Sequence, residues 1–368
     1  MILRKEEEMA EIIKDPRQAG KITHPLVNIV LIAICAVICG ADTWEEIADF
    51  GKKKKEWLVK FLKLPDGTTP SSDTIGRFFQ VIKVKEFERY FLKWVKSITC
   101  EADGDYIAID GKTLRGSYDS TCEKAAIHMV SAWSALNGCV LGQVKTEEKS
   151  NEITAIPELL KVLEINNSIV TIDAMGTQKK IAAEIIKGGG DYILAVKSNQ
   201  PTLEKDIVEY FDHVDLRTLD FHEEVEKRHG RSEVRRYYIS DDLERLSTKN
   251  EWPGLKGIGM TASQRLVKGV LSIQRKYYIV SIPPDVIVFA NGSRKHWGIE
   301  NSLHWCLDVG FREDECRIRK GCAAENMAIV RHIALNMLKK EKTTKKGIAR
   351  KRFNAALSDE YLELILKI

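Results

Sequence analysis

Along the first hundred positions apolar residues recur every three or four places, the spacing of helices that bury one face. Leu26 to Ala41 is almost wholly apolar and lies between Pro25 and Gly40, a proline start and a glycine stop that suit one core helix. Asn28 interrupts it, and it falls short of the ~20 residues a membrane crossing needs, so burial within the protein is expected and no membrane contact. Thr43 and Glu46 form a capping-box pattern ahead of a helix with Trp44 and Ile47. Trp57, Leu58, Phe61 and Leu62 mark the next, ended by the turn Pro65-Asp66-Gly67. Pro70-Ser71-Ser72-Asp73 opens a helix with Ile75, Phe78 and Phe79 on one side, and Phe87, Tyr90, Phe91 and Trp94 line a last one. These helices either bring Arg77 to a DNA groove or serve packing and assembly.

The texture changes after Asp103-Gly104. Tyr106 to Asp110 reads as a buried strand, and Ile127 to Ser134 and Cys139 to Lys145 as a hairpin joined through Asn137-Gly138. A helix from about Asn151 to Leu163, a strand from Ser168 to Asp173, a helix from Gln178 to Lys187 and a strand from Tyr192 to Lys197 follow. Three strands and then alternation predict a mixed sheet flanked by helices. From Gln200 to about Pro284 the alternation falters into a helix (Leu203 to Phe211) and charged strands (Val225 to Lys227, Val234 to Ile239, Lys276 to Ile282), which reads as a strand-rich insertion. Helices resume near Ser293, at Ala323 to Lys340 and at Ser358 to Leu366. The expected division is a helical domain over 1–102, an α/β domain over 103–340 with its insertion at about 200–290, and a basic tail with a short helix over 341–368.

Charge changes the picture by position more than by amount, since the net formal charge is only +4. Lys52 to Lys55 form one basic run, and Lys339, Lys340, Lys342, Lys345, Lys346, Arg350, Lys351 and Arg352 crowd another; such runs attract phosphate or simply form solvated faces. The eight cysteines include no Cys-x-x-Cys pair, which suits a reducing cytoplasm and argues against structural zinc.

Two strands end in an acid: Ile107-Ala108-Ile109-Asp110-Gly111-Lys112 and Ile169-Val170-Thr171-Ile172-Asp173-Ala174. An ionised carboxylate at the mouth of an apolar strand is costly unless compensated. One such Asp often only caps a loop; two on strand ends of one sheet put hard oxygen donors at its carboxyl edge, a divalent-metal pattern. A third acid lies in Arg294-Lys295-His296-Trp297-Gly298-Ile299-Glu300-Asn301-Ser302-Leu303-His304-Trp305, where His296, Glu300 and His304 share one helix side with Trp297 nearby, a face that suits burial. The two histidines either orient the glutamate or touch a phosphate. Zinc also uses such helices, but no further ligand is apparent. Asp308, Glu313 and Asp314 compete as acids, or pair with Arg312, Arg317 and Arg319.

With these residues in place, the chain resembles the DDE transposases of bacterial insertion sequences, in the subfamily of the H-repeat-associated proteins. The matching stretches are Asp15-Pro16-Arg17 through His24-Pro25-Leu26, Ile109-Asp110-Gly111-Lys112 with Arg115-Gly116-Ser117, Lys149-Ser150-Asn151-Glu152-Ile153, Thr171 to Gly176, Lys197-Ser198-Asn199-Gln200, His296 to Trp305 with Leu307-Asp308-Val309, and Asn326-Met327-Ala328. The resemblance implies an RNase H-like α/β fold and catalytic, metal-binding acids at Asp110, Asp173 and Glu300, holding two Mg²⁺ ions that Mn²⁺ is able to replace. It implies a cytoplasmic, nucleoid-associated bacterial enzyme that cuts double-stranded DNA at transposon ends and joins them to target DNA, as a homodimer or larger synaptic assembly. DNA contacts are expected from Lys112, Arg115, Lys197, Asn199, Gln200, Arg294, Lys295, His296 and His304. The Tyr, Arg and Lys that surround the glutamate in the wider superfamily fall here on Ser293, His296 and Leu307, leaving Arg294 and Lys295 to substitute. Two other readings stay open: a nuclease of the same fold without strand transfer, and a domesticated DNA-binding protein that no longer cuts.

Overall fold

The computed structural model describes residues 6–100, 103–118, 125–146, 152–228, 231–267 and 269–368. Helices come first: α1 (Glu6–Ile12), α2 (Leu26–Ile38), α3 (Trp44–Lys53), α4 (Lys55–Leu58), α5 (Ser72–Val81) and α6 (Val84–Ile98). The capping box forms: Thr43 Oγ1 accepts from the Glu46 amide at 3.2 Å, and the Glu46 carboxylate accepts from the Thr43 amide at 3.0 Å. α2 is buried on almost every side, as an unbroken apolar run requires, and Asn28 donates to the Lys63 carbonyl at 2.8 Å. No helix among the described residues is long and apolar enough to cross a membrane.

Nine strands among the described residues form one sheet: β1 (Tyr106–Leu114), β2 (Ile127–Ser134), β3 (Cys139–Lys145), β4 (Ile169–Ile172), β5 (Asp191–Val196), β6 (Asp220–Arg228), β7 (Arg231–Ser240), β8 (Gly257–Val267) and β9 (Val270–Val280). Their spatial order is β3-β2-β1-β4-β5-β9-β8-β7-β6. β1, β4 and β5 run parallel, and the other neighbours pair antiparallel. Helices α7 (Glu152–Val162), α8 (Lys179–Lys187) and α9 (Pro201–His213) cover one face, packing on Ile107, Ile109, Val170 and Ile172. Helix α10 (Val286–Ile299) covers the other face through Phe289 and Ala290, and α11 (Ala323–Lys340) lies on that side with Ala108, Trp133 and Val140.

Side chains alternate between the faces of a strand. Because Ile107 and Ile109 point toward α7, Ala108, Asp110 and Lys112 point toward α10 and α11; Val170 and Ile172 likewise leave Thr171 and Asp173 on that second face.

Three features depart from the sequence reading. The stretch after Gln200 extends the sheet itself, since β9 pairs with β5 (Leu194 opposite Ile279), and β8 went unrecognised because Gly257, Gly259, Ser263 and Gln264 weaken any strand pattern. Gly259 is required there: a Cβ would meet the Phe289 ring at 2.5 Å. The first helices have no core of their own; they pack in one cluster with α11 and with α12 (Ile348–Leu357) and α13 (Asp359–Leu366). The C-terminal basic cluster is accordingly divided. Lys342, Lys345, Lys346 and Arg350 are exposed, whereas Lys351 and Arg352 are buried. Lys351 donates to the Leu338 carbonyl at 2.9 Å and pairs with Glu341 at 3.0 Å, and Arg352 donates to the Val37 carbonyl at 3.0 Å and pairs with Asp42 at 3.1 Å. Their charges satisfy helix-end carbonyls and buried acids, which removes them from any phosphate surface.

Candidate active site

Asp110 lies one residue past the rung where Ile109 of β1 faces Ile172 of β4, and Asp173 lies one residue past the same rung on the neighbouring strand. The two acids thus project onto the face covered by α10, Asp173 just past the end of β4 and Asp110 within β1, which runs on beside β2 to Leu114 and so does not end at its acid as the sequence reading had it. Asp173 is half-buried and accepts from the Met175 amide at 3.0 Å, which sets the turn that follows it. Asn199 donates to the Ala174 carbonyl at 2.6 Å and Gln200 to the Thr177 carbonyl at 3.0 Å, so both amides brace this turn. The bonds join segments some 23 to 25 residues apart, a distance no local spacing in the sequence covers.

Helix α10 brings the third acid. It continues beyond Ile299 into two π-helical turns, Glu300–His304 and Cys306–Gly310, a widened geometry that recurs at functional sites. The widening keeps Glu300 and His304 on one side: His304 Nδ1 stands 3.5 Å from Asp110 Oδ2 and 3.6 Å from Glu300 Oε2. One donor atom each from Asp110, Glu300 and His304 lie within 4.8 Å of one another. Glu300 keeps 52% of its side chain exposed, while His304 is 6% exposed. The aromatic burial expected around Glu300 is not formed: Trp297 and Trp305 face outward, Trp297 under the Lys276 ammonium at 4.5 Å.

Electrostatics follow from the crowding. Burial raises the Asp110 carboxyl well above the carboxylate range, and the neighbouring Glu300, then Glu152, push it the same way. Burial lowers the proton affinity of His304, opposed first by Glu300. His296 is lowered by burial as well, opposed first by Asp173, and its Nδ1 lies 3.1 Å from the Thr171 hydroxyl. Gly111 leaves room within β1 for a contact that crosses the strand: a Cβ would meet Glu152 Oε1 at 2.1 Å and His128 Nε2 at 2.4 Å, the two ends of a 2.7 Å contact. Of the stretch Lys149 to Ile153, residues 149–151 lie outside the described residues.

Lys112, expected on phosphate, is committed elsewhere. Its side chain is 12% exposed and its ammonium touches Asp308, Glu313 at 2.8 Å and Asp314 at 3.6 Å. Glu313, 2% exposed, also faces Arg331 at 3.8 Å. The competing acids therefore find Lys112 and Arg331 as partners; Arg312 pairs with Glu315, and Arg319 donates to the Gly116 carbonyl at 3.0 Å. Arg115, 80% exposed, touches Asp314 at 3.5 Å. Lys197 is exposed, Arg294 binds Glu226 at 3.0 Å, and the exposed Lys295 lies 4.2 Å from the Tyr106 ring centre.

Sequence comparison agrees with this arrangement. The family described as "Transposase DDE domain" matches residues 101–337, and one described as "DDE_Tnp_1-associated" matches residues 8–95. The H repeat-associated protein YhhI of Escherichia coli K12 is 44% identical over 376 residues, covering 100% of this chain and 98% of the relative. The protein YncI of Escherichia coli O157:H7 is 46% identical over 361 residues, covering 96% and 92%. A cryo-EM structure of the piggyBac transposase synaptic complex with hairpin DNA aligns with 100% of this chain and 79% of its own at 11% identity and TM-score 0.40, too loosely to add to the fold read above. Identity at that level along the whole chain, with the family match over residues 101–337, makes this protein a member of the DDE transposases of bacterial insertion sequences, in the group of the H repeat-associated proteins.

Proposed function

We propose that the chain cleaves phosphodiester bonds at the ends of a transposable element and transfers the freed 3′-ends into a target duplex, with Asp110, Asp173 and Glu300 as its catalytic acids on an RNase H-like core. The order β3-β2-β1-β4-β5, antiparallel on one side of β1 and parallel on the other, supports that core. The observation that carries the reading is the gathering of one donor atom each from Asp110, Glu300 and His304 within 4.8 Å of one another, with Asp173 one strand away just past the end of β4.

The donor set fits a divalent cation. Burial and the neighbouring Glu300 raise the proton affinity of Asp110, and a cation relieves that repulsion without a proton. Two bound divalent ions, Mg²⁺ or Mn²⁺, supply the charge that makes an attacking oxygen nucleophilic and a leaving oxygen stable. The protein's part is positional: β1 and β4 fix Asp110 and Asp173 on a rigid edge, the π-helical turn swings Glu300 over them, and Asn199 and Gln200 keep the turn after Asp173 from moving. Arg115, Lys197, Arg294 and Lys295 are the basic groups that hold backbone phosphates, and joining two DNA ends brings two or more copies together.

Asp110→Asn is the deciding variant, assayed on a plasmid carrying the element's own ends. Nicking is expected to fall by more than about 100-fold, the loss that follows removal of one preorganised charge-stabilising group, while end binding persists. Undiminished nicking would remove the assignment.

A further inference from the structure

We infer that His304 is itself a ligand of the cation held by Asp110 and Glu300, so that this site is mixed nitrogen and oxygen and favours Mn²⁺ over Mg²⁺; the inference rests on the metal-binding reading above and deepens it. The geometry points there first. The imidazole Nδ1 stands 3.5 Å from Asp110 Oδ2 and 3.6 Å from Glu300 Oε2, on the same side as both carboxylates. Cation–ligand bonds of about 2.1 Å place neighbouring donors roughly 3 Å apart, so side-chain shifts of well under an ångström close the set.

Burial supplies the second argument. At 6% exposure the ring cannot swing out to solvent, whereas Glu300, half exposed, is the mobile member of the three. The ring is thus held with Nδ1 aimed at the two carboxylates, the direction from which its lone pair reaches a shared cation.

The far edge of the ring gives the third. Nε2 is buried without a hydrogen-bond partner, and Glu313 acts on the ring electrostatically. Glu313 Oε1 is likewise buried without a hydrogen-bond partner. When Nδ1 binds a cation the ring proton resides on Nε2, and a carboxylate behind a ligating histidine is the usual acceptor in such sites, directly or through a water. Lys112 and Arg331 hold Glu313 anionic for that task. His296 contrasts: its Nδ1 is engaged with the Thr171 hydroxyl. Imidazole binds Mn²⁺ more readily than Mg²⁺, which prefers oxygen and water.

Pulsed electron paramagnetic resonance of the full-length protein with Mn²⁺ alone tests this. Directly bound nitrogen is expected in the spectrum, changing to the ¹⁵N pattern with ¹⁵N-imidazole histidine, absent in His304→Gln and retained in His296→Gln. Calorimetry should show His304→Gln losing Mn²⁺ affinity by about 10- to 100-fold with a smaller change for Mg²⁺, and His304→Asp abolishing the preference. The wild-type spectrum decides even where a variant fails to fold. Mn²⁺ bound without nitrogen coupling, or an unchanged Mn²⁺ to Mg²⁺ ratio in a folded His304→Gln, overturns the inference and leaves the carboxylate site standing. Failure of wild-type protein to bind either cation, with no difference in Asp110→Asn, overturns the carboxylate reading and this inference with it.

Discussion

Asp110 and Glu300 face each other across an imidazole, whereas two residues further along β1 Lys112 is surrounded by Asp308, on the second π-helical turn, and by Glu313 and Asp314, on the short 3-10 turn that follows it. Both groups are acidic and both join β1 to the chain that follows α10, yet Asp110 and Glu313 move in opposite directions in proton affinity, while Asp308 beside Lys112 is still raised by its burial. Asp110 is raised by burial and by Glu300, while Glu313, which burial alone would raise, is held below its ordinary value by Lys112, Arg331 and His332. The difference is compensation. Acids supplied with internal cations serve as a clasp, and acids left facing each other await a cation from outside.

Removing one side of the compensated group should have the largest effect on stability. Glu313→Ala leaves Lys112 and Arg331 buried without their shared carboxylate, and a loss of about 3–5 kcal/mol in denaturant unfolding is expected. A loss below about 1 kcal/mol would show that the two acidic groups do not differ in kind.

Asp110→Asn should act in the opposite direction in metal-free protein. Because the folded-state carboxyl is raised, its charged form costs stability once pH exceeds the unfolded value near 3.8, and that cost is complete above the folded value. The amide removes it, so unfolding at pH 8 to 9 should be harder by on the order of 1–3 kcal/mol, with no gain near pH 4. Saturating Mn²⁺ should reverse the ranking, since the wild type then gains binding energy that the variant lacks.

His332 sharpens the comparison from behind the clasp. Burial lowers it to about 4, with His304, Lys112 and Arg331 adding to the effect and Glu313 opposing it. The folded state therefore takes up its proton later than the unfolded chain; stability is full above pH 6.5 and drains as pH falls toward 4, by up to about 3 kcal/mol. His332→Leu should flatten that slope in thermal unfolding between pH 7 and 5, and an unchanged slope would assign it to other groups.

The smallest effect is expected at the turn after Asp173. Asn199→Ala removes the 2.6 Å bond to the Ala174 carbonyl, worth about 1 kcal/mol, and should speed amide exchange over residues 174–177 while leaving global unfolding nearly unchanged.

Hydrophobic spacing alone outlined much of this molecule. The bounds of β2, β3 and α11 coincide with those read from the sequence, because long apolar alternation and a helix buried over nearly its full length leave little choice. The two acids stood out for a related reason: a carboxylate following an apolar run is anomalous in the chain before any contact is known, although only Asp173 ends its strand and β1 continues past Asp110 to Leu114. β8 and α12 were not, since a glycine- and serine-containing strand is held by partners on both sides and a basic helix by carbonyls and acids distant in sequence.

What the sequence by itself determined is therefore which residues face which side: strand alternation sends Asp110, Lys112, Thr171 and Asp173 to one face of the sheet, and four-residue spacing puts Glu300 and His304 together. Only the tertiary structure decided which of these charges meet. Lys112 looked like a phosphate ligand and is a buried counter-ion; Asn199 and Gln200 looked like DNA contacts and brace a turn; Lys351 and Arg352 looked like a basic tail and close a core. Periodicity is a local property of the backbone, but the partner of a charge is set by chain segments as much as 310 residues away, and no spacing rule reaches that far.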